Sequence, residues 1–276
     1  MTADAIKSMK LYSGVDRVHQ ALAAEGYDPD DPLPLSALTQ HDQLHYFGTD
    51  AVDEAVELLN PPTNGRVLDI GSGYGGPARY FADRTGASVT AVELQQDLDQ
   101  AAADLTARAQ ITGSVQHVCG DILQVNLDDA CYDGAISYLA LYHIPAREPL
   151  FPRLFQALKP GAAIYVEDLY APAPLSGDEQ EIMQTALFGN TLPSREAYVD
   201  EIAGAGFQEI ELTDMAEPWG GFCAERLAAF RTVRDDKLAI HGPETVAALD
   251  AFYETMCRLF DGGRMSGARI TARKPV

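Results

Sequence analysis

Short apolar runs alternate with stretches of helical periodicity from Arg66 to Val166, and this alternation is the feature that most constrains the fold. Runs that are apolar throughout are typical of parallel strands, because helices cover both faces of a parallel sheet. Strands are predicted over residues 67–70, 88–92, 115–119, 134–138 and 162–166, and helices over 77–83, 96–109 and 149–158. The pattern therefore predicts a doubly wound α/β domain.

The segments on either side of this alternation add helices and two more strands. Residues 1–45 hold short helical patterns interrupted by Asp28-Pro29-Asp30-Asp31-Pro32, which cannot continue a helix. Helices are predicted over residues 50–59, 179–187 and 194–203 and twice within 221–260, and strands over 207–212 and 267–274. We therefore predict an N-terminal helical cap or lid (residues 1–48), a core (49–170), and a third part (171–276) that carries the remaining strands and a helical insertion before the last strand.

Composition excludes several classes of partner. The 20 basic and 41 acidic residues give a net charge of −21, which repels a phosphate backbone, so no nucleic acid is expected. No apolar run has the length of a signal peptide core or a membrane helix, which predicts a cytoplasmic protein without a membrane partner. The four cysteines are scattered without metal-ligand spacing, so neither a metal site nor a disulfide framework is expected.

A glycine-rich turn, Gly71-Ser72-Gly73-Tyr74-Gly75-Gly76, follows the first predicted strand of the core. Glycines there let the backbone turn tightly and approach a ligand, because a Cβ would occupy the volume of the ligand. Pro77 then suits the first turn of a helix. Nicotinamide and flavin enzymes use a similar turn, so by itself it indicates only a nucleotide-like ligand.

Three acids narrow this interpretation, because each stands at the end of a consecutive predicted strand. Glu93, twenty residues after Gly73, can accept both hydroxyls of an adenosine ribose. Asp121 can accept the exocyclic amine of adenine while Ile122 packs on the ring. Asp69 can orient the glycine turn or meet an ammonium group. Strand ends of such a sheet meet in one crevice, so the three acids are expected to share a site.

The sequence resembles the class I S-adenosylmethionine-dependent methyltransferases over about residues 60–170. The resemblance rests on Asp69-Ile70-Gly71-Ser72-Gly73-Tyr74-Gly75-Gly76, on Glu93, on Gly120-Asp121-Ile122 and on Leu158-Lys159-Pro160-Gly161. It implies a seven-stranded Rossmann-like methyltransferase sheet and S-adenosylmethionine as the cofactor. The cofactor-binding residues it implies are Asp69, Gly71, Ser72, Gly73, Glu93, Leu94, Asp121 and Ile122, with Ser137 and Tyr138 near the sulfonium.

Two segments are expected to meet the methyl acceptor. After the fourth core strand, Tyr138, Tyr142 and His143 can hold a developing ammonium by lone pairs or ring faces, or His143 can remove a proton. Alternatively, the tyrosines are core residues and His143 caps the next helix. The second segment, residues 41–48, combines histidines, an acid, an amide and aromatic residues, which favours a lid with Gln43 and Tyr46 at the acceptor and His45 as a further catalytic candidate.

The last third of the chain adds Trp219 and Arg264 as candidate acceptor residues. An insertion there would stand on the same side as the strand ends and close the pocket. The Arg264 guanidinium can pair with a carboxylate or phosphate of the acceptor. The alternative, which the sequence favours slightly, is an ordinary surface arginine.

A closer resemblance is to sarcosine/dimethylglycine N-methyltransferases and, more distantly, phosphoethanolamine methyltransferases. It rests on G-Y-G-G, on Leu141-Tyr142-His143, on the helical insertion and on Gly262-Gly263-Arg264. It implies methyl transfer to the nitrogen of a small amine or amino acid. Those enzymes commonly show S-x-D-A where this chain has leucine at position 139. Methyl transfer to oxygen, carbon or sulfur, a NAD-dependent dehydrogenase and a catalytically silent binding module stay open, and a homodimer is a further expectation.

Overall fold

The computed structural model describes residues 14–189 and 192–276. Within these residues, seven strands form one mixed sheet, and a separate pair of very short strands lies beside it. The strands in chain order are β1 (Leu33–Pro34), β2 (Arg66–Ile70), β3 (Ser88–Glu93), β4 (Ala109–Gln110), β5 (Ser114–Cys119), β6 (Tyr132–Tyr138), β7 (Leu158–Tyr170), β8 (Gln208–Asp214) and β9 (Ser266–Arg273).

The order of the large sheet is β5-β3-β2-β6-β7-β9-β8. In this sheet β5, β3, β2, β6 and β7 are parallel to one another, whereas β9 runs antiparallel to both β7 and β8. The order reverses between β2 and β6, where chain crossovers leave in opposite directions and a crevice forms at the carboxyl ends of the strands. The predicted seven-stranded Rossmann-like sheet is confirmed.

Helices cover both faces of the sheet and build the two flanking regions. In chain order they are α1 (Arg17–Ala24), α2 (Leu35–Leu38), α3 (Thr49–Leu59), α4 (Gly76–Thr85), α5 (Gln96–Arg108), α6 (Leu150–Ala157), α7 (Gly177–Thr185), α8 (Arg195–Gly204), α9 (Ala216–Thr232) and α10 (Arg234–Asp261). A single 3₁₀ turn spans Leu141–His143. The N-terminal helices α1 and α2 agree with the predicted helical cap, of which residues 1–13 lie outside the described residues.

The fifth parallel strand begins earlier than the sequence predicts. We expected Lys159-Pro160-Gly161 to separate a helix from a strand over 162–166, but β7 already begins at Leu158, which pairs with Tyr132. Gly161 takes a φ of 80° and donates its amide hydrogen to Lys274 O at 3.0 Å. The prediction was wrong here because pairing with β6 and the C-terminal segment replaces the expected loop.

Two apolar layers hold helices against the sheet, and a third cluster holds the helical insertion. Leu154 of α6 and Tyr198 of α8 belong to one layer, and Phe81 of α4 to the other. The third cluster includes Trp219 of α9, whose ring lies directly on Gly267 of β9, so that a Cβ at residue 267 would overlap it. The insertion therefore has a fixed position relative to the sheet. Among the described residues, no helix is long and apolar enough to cross a membrane.

Candidate active site

A cleft opens at the carboxyl ends of β2, β3, β5 and β6. It contains about 980 Å³ of empty space, with the open solvent at its mouth included. The residues predicted from the sequence that line this cleft are Asp69, Gly71, Ser72, Gly73, Glu93, Leu94, Asp121, Ile122, Tyr138, His45 and His143. Residues from four strand ends and from the N-terminal segment thus share one cavity.

The glycine-rich loop between β2 and α4 forms the floor of the cleft. Gly71 and Gly73 take φ angles of 70° and 55°, a region that residues with a Cβ rarely adopt. The amides of Gly71 and Ser72 both donate to Val92 O, at 2.9 and 3.1 Å. A Cβ on Gly71 would overlap the side chain of Ala140, which follows β6. The loop is therefore held against two neighbouring strand ends with no space for larger residues.

Glu93 ties the end of β3 to the glycine-rich loop. Its Oε2 accepts the amide hydrogen of Gly73 at 3.0 Å, and its Oε1 accepts that of Gln95 at 2.8 Å. Burial raises the pKa of this carboxyl, and the two backbone hydrogen bonds oppose that rise. Each carboxylate oxygen can accept a second hydrogen bond, so Glu93 can receive hydroxyl groups from a ligand without releasing the loop.

Asp69 carries a buried oxygen without a hydrogen-bond partner. The residue is 1% exposed and lines the cleft, and its Oδ2 is the unpartnered atom. Burial raises the pKa of Asp69 to about 8, and the charge of Glu93 adds to this rise. A cationic group in the cleft would supply the missing partner, because an unpaired buried polar group is costly. Asp121, the third acid, accepts the amide hydrogen of Leu123 at 2.9 Å.

The lid segment, residues 41–48, is anchored to the cofactor side of the cleft by a buried ion pair that the sequence analysis missed. Arg79 Nη2 donates to Asp42 Oδ2 at 2.9 Å, and neither side chain is exposed. The same nitrogen donates to Tyr74 O in the glycine-rich loop at 2.6 Å. One signal was available: Arg79 lies on the apolar face of α4, where an arginine requires a carboxylate partner.

Two histidines line the cleft in the neutral state. His45 Nε2 donates to Gly48 O at 2.9 Å, and its ring lies 4.5 Å from the ring of Tyr138. His143 Nδ1 lies 3.2 Å from Phe188 O, while its Nε2 has no hydrogen-bond partner. Burial lowers the pKa of both histidines to about 4. Because a carbonyl only accepts, the hydrogen of neutral His143 belongs on Nδ1 and the lone pair on Nε2.

Three predicted residues lie beside the cleft without lining it. Ser137 Oγ donates to Ile70 O at 2.9 Å, so this hydroxyl joins β6 to β2. The Tyr142 ring packs on His143 with centroids 3.9 Å apart and belongs to the apolar cluster under the insertion. The Gln43 amide donates to Asp42 at 2.8 Å. Each of these side chains is directed by a structural contact.

The remaining predicted acceptor residues lie farther from the cleft. Tyr46 and Trp219 face each other at 4.7 Å between ring centroids, within the apolar cluster that includes Phe260. Arg264 is exposed and donates to Pro174 O at 3.3 Å. Aromatic residues in this region fill the core of the insertion, and the guanidinium points to a surface loop. Their predicted roles at the acceptor have no support from this arrangement.

The sheet order and the cleft define a Rossmann-like nucleotide-binding fold of the methyltransferase type. Residues 68–166 match the family described as methyltransferase domain. Over these residues the chain resembles a methyltransferase domain, a family that uses S-adenosylmethionine as its cofactor. The predicted family resemblance, enzyme class and cofactor are thereby confirmed.

Individual relatives differ in the acceptors that their names give. The chain is 29% identical over 188 residues to 24-methylenesterol C-methyltransferase 2 of Arabidopsis thaliana, covering 64% of this chain and 52% of the relative. It is 27% identical over 192 residues to phosphoethanolamine N-methyltransferase 1 of Zea mays, covering 70% and 38%. The chain thus spans about half the length of the first relative and less than half the length of the second.

Solved structures share the fold over nearly the whole chain. Phosphoethanolamine N-methyltransferase 2 of Haemonchus contortus, in complex with S-adenosyl-L-methionine, superposes with a TM-score of 0.80 at 19% identity, covering 100% of this chain and 60% of that one. A protein of Galdieria sulphuraria described as a sarcosine dimethylglycine methyltransferase gives 0.70 at 16% identity, covering 95% and 98%.

Proposed function

We propose that the chain transfers the methyl group of S-adenosylmethionine to a small-molecule acceptor, with the nitrogen of an amine as the first candidate. The observation that carries this proposal is a neutral His143 whose unpartnered Nε2 belongs to the same cleft as the glycine-rich loop. When bound, the cofactor supplies an electrophilic methyl group on a sulfonium. The acceptor must then lie in line with this methyl group, and water must be excluded.

The residues of the cleft fit this cofactor. The unpartnered Oδ2 of Asp69 would accept the ammonium of the methionine part, Glu93 the ribose hydroxyls and Asp121 the adenine amine. Asp42 also lines the cleft but is paired with Arg79, so the carboxyl groups available to a cationic ligand are those of Asp69, Glu93 and Asp121. His143 Nε2 would accept the proton that leaves the acceptor as the new bond to the methyl group forms.

A neutral acceptor, methylated on oxygen or carbon, is the second candidate, and the lining beyond the loop favours it. Leu44, Leu139 and Ile144 form apolar walls beside His143. Leu139 stands where the resembling N-methyltransferases carry an aspartate, so this position offers no carboxylate to an ammonium. His143 can remove the proton of a hydroxyl group as well as that of an amine.

Label transfer distinguishes these candidates. The protein would be incubated with methyl-labelled S-adenosylmethionine and, separately, with sarcosine, dimethylglycine, simple phenols and a fractionated metabolite extract. Label in an amine product supports the first candidate, and label in an ether or a new carbon–methyl group supports the second. Label that never leaves the cofactor contradicts methyl transfer and supports a silent binding module.

Replacement of His143 tests its proposed role. In His143→Ala, turnover of the acceptor found above is expected to fall by about 10²- to 10⁴-fold, the usual contribution of a general base. Affinity for S-adenosylhomocysteine, measured by calorimetry, should change little. His241→Ala, which removes an exposed contact with Gln20 and does not line the cleft, serves as the matched control. Equal turnover in His143→Ala and the wild type would make His143 structural.

Three expectations about organisation stay predictions. These are the division into residues 1–48, 49–170 and 171–276, a homodimer, and a cytoplasmic location. Analytical ultracentrifugation measures the oligomeric state directly.

A further inference from the structure

Asp168 is a fully buried carboxylate behind the cleft that the proposed chemistry leaves unused. It stands near the end of β7, is 0% exposed, and does not line the cleft. A buried carboxylate is costly unless hydrogen bonds and opposite charge compensate it. Its contacts therefore indicate which part of the molecule depends on it.

One oxygen of Asp168 holds the turn that carries His143. The Oδ1 atom accepts the amide hydrogen of Tyr142 at 3.1 Å, in the middle of the 3₁₀ turn Leu141–His143. The other oxygen, Oδ2, accepts the Tyr198 hydroxyl of α8 at 2.7 Å. Without Oδ1, the buried Tyr142 amide would lose its hydrogen-bond acceptor. The turn would then lower its free energy by moving until this amide reaches another acceptor.

The charged groups around Asp168 belong to residues that do not line the cleft. Arg147 Nη1 is 3.6 Å from Asp168 Oδ2, and Arg147 Nε donates to Glu201 of α8 at 3.0 Å. The Arg147 guanidinium also stacks over the ring of Tyr198, 4.3 Å from its centroid. This network keeps the carboxylate rigid, and only the bond to Tyr142 leads from it toward the cleft.

We propose that Asp168 is a positioning residue that fixes the turn Leu141–His143 on β7 and thereby directs Nε2 of His143 into the cleft. Phe188 O fixes the rotation of the imidazole through Nδ1, and Asp168 fixes the backbone that carries it. The inference rests on the proposed role of His143. It assigns a function in the reaction to a residue that cannot touch substrate or cofactor.

Nitrogen-15 NMR of the histidine rings tests this positioning without a known acceptor. In the wild type, His143 should show one neutral state with hydrogen on Nδ1, assigned by comparison with His143→Gln. Asp168→Leu should lose this single state, whereas Asp168→Asn, which keeps an oxygen for the Tyr142 amide, should retain it. Glu201→Gln, which alters the same network away from the turn, is the matched control. Unchanged His143 signals in a folded Asp168→Leu protein would overturn the proposal.

Calorimetry with S-adenosylhomocysteine shows whether each variant is folded, and affinities within about twofold of the wild type are expected because Asp168 lies outside the cleft.

Should Asp168→Leu fail to fold, a pH titration of the wild type provides the decisive measurement. Burial raises the pKa of Asp168 to about 6 although Arg147 opposes it. The NMR signals of the Tyr142 amide and of the His143 ring should therefore both shift near pH 6, where Asp168 titrates. A His143 signal that changes only with the titration of its own ring overturns the proposal.

Turnover separates a failure of this inference from a failure of the proposed base. Asp168→Leu is expected to lower kcat by on the order of 10²-fold, the cost of a misplaced reacting group, with little change in KM. In a His143→Ala background the same substitution should have almost no further effect. An equal loss in both backgrounds overturns positioning through His143, whereas unchanged turnover in His143→Ala alone defeats the proposed base.

Discussion

The two halves of the cleft are built in different ways. The half that we propose for the cofactor, here called the cofactor half, consists of the glycine-rich loop and of Asp69, Glu93 and Asp121 at consecutive strand ends. The half that we propose for the acceptor, here called the acceptor half, is assembled from the lid segment and the turn Leu141–His143, which are distant in sequence. Sheet topology dictates the first half, whereas tertiary contacts of individual side chains dictate the second. Substitutions in each half should therefore fail in different ways.

The largest expected effect is at the junction of the two halves. Arg79→Met leaves Asp42 buried without its counter-charge, which should lower the free energy of unfolding by about 3–5 kcal/mol. Urea denaturation measures this change. Arg84→Met, in the same helix but with an exposed partner, Asp53, should have a much smaller effect. Equal stability of the two variants would contradict the anchoring of the lid segment by Arg79.

Glu93 should be the most important single side chain for the cofactor half. Glu93→Ala removes charge-assisted hydrogen bonds that typically contribute about 1.5–3 kcal/mol each, so affinity for S-adenosylhomocysteine should fall by at least about tenfold. Calorimetry gives the dissociation constant. Glu57→Ala, an exposed glutamate of α3, is the control. An affinity equal to that of the control would remove Glu93 from the cofactor site.

Binding to the cofactor half should strengthen as pH rises toward 8. Asp69 with its pKa of about 8 is mostly protonated in the free protein at pH 7, and an ammonium ligand favours the ionised form. Binding therefore releases a proton, and affinity for S-adenosylhomocysteine should rise by up to about tenfold per pH unit between pH 6 and 8.

The same shift has the opposite sign for the stability of the free protein. A carboxyl whose pKa is raised on folding stabilises the folded state at low pH, and this contribution is lost as pH rises through about 8.

Asp69→Asn should flatten the dependence of the affinity for S-adenosylhomocysteine on pH. A slope that persists in this variant would assign the proton to another group.

The smallest effect is expected outside both halves. Arg264→Ala should change the free energy of unfolding by no more than about 0.5 kcal/mol, because its side chain is exposed. KM for the acceptor should equal that of the wild type. A large rise in KM would restore Arg264 to the acceptor site and would extend the acceptor half to the surface loop at Pro174.

Sequence reasoning succeeded where backbone pattern decides the outcome. Gly71, Glu93 and Asp121 are set by where strands end, and apolar runs and glycines reveal those ends. Neither periodicity nor motif shows that the Ser137 hydroxyl would bond to Ile70 O, and the predicted place of Ser137 near the sulfonium stays a prediction. Tyr46 and Trp219 were assigned to the acceptor by residue type, yet their contacts with each other depend on how the insertion packs.

The Asp42–Arg79 pair also limits how the cleft can open. Separating these groups would expose two buried charges, so Asp42 stays in place when ligands exchange. The far end of the lid segment has two successive left-handed residues, Phe47 with a φ of 59° and Gly48 with a φ of 52°, before α3 begins. Between these two points His45 donates to Gly48 O and Tyr46 packs on Trp219, so the backbone of the lid segment is held along its length. We therefore expect ligand exchange to depend on rotation of side chains that line the mouth of the cleft, such as Leu44, and less on displacement of this backbone.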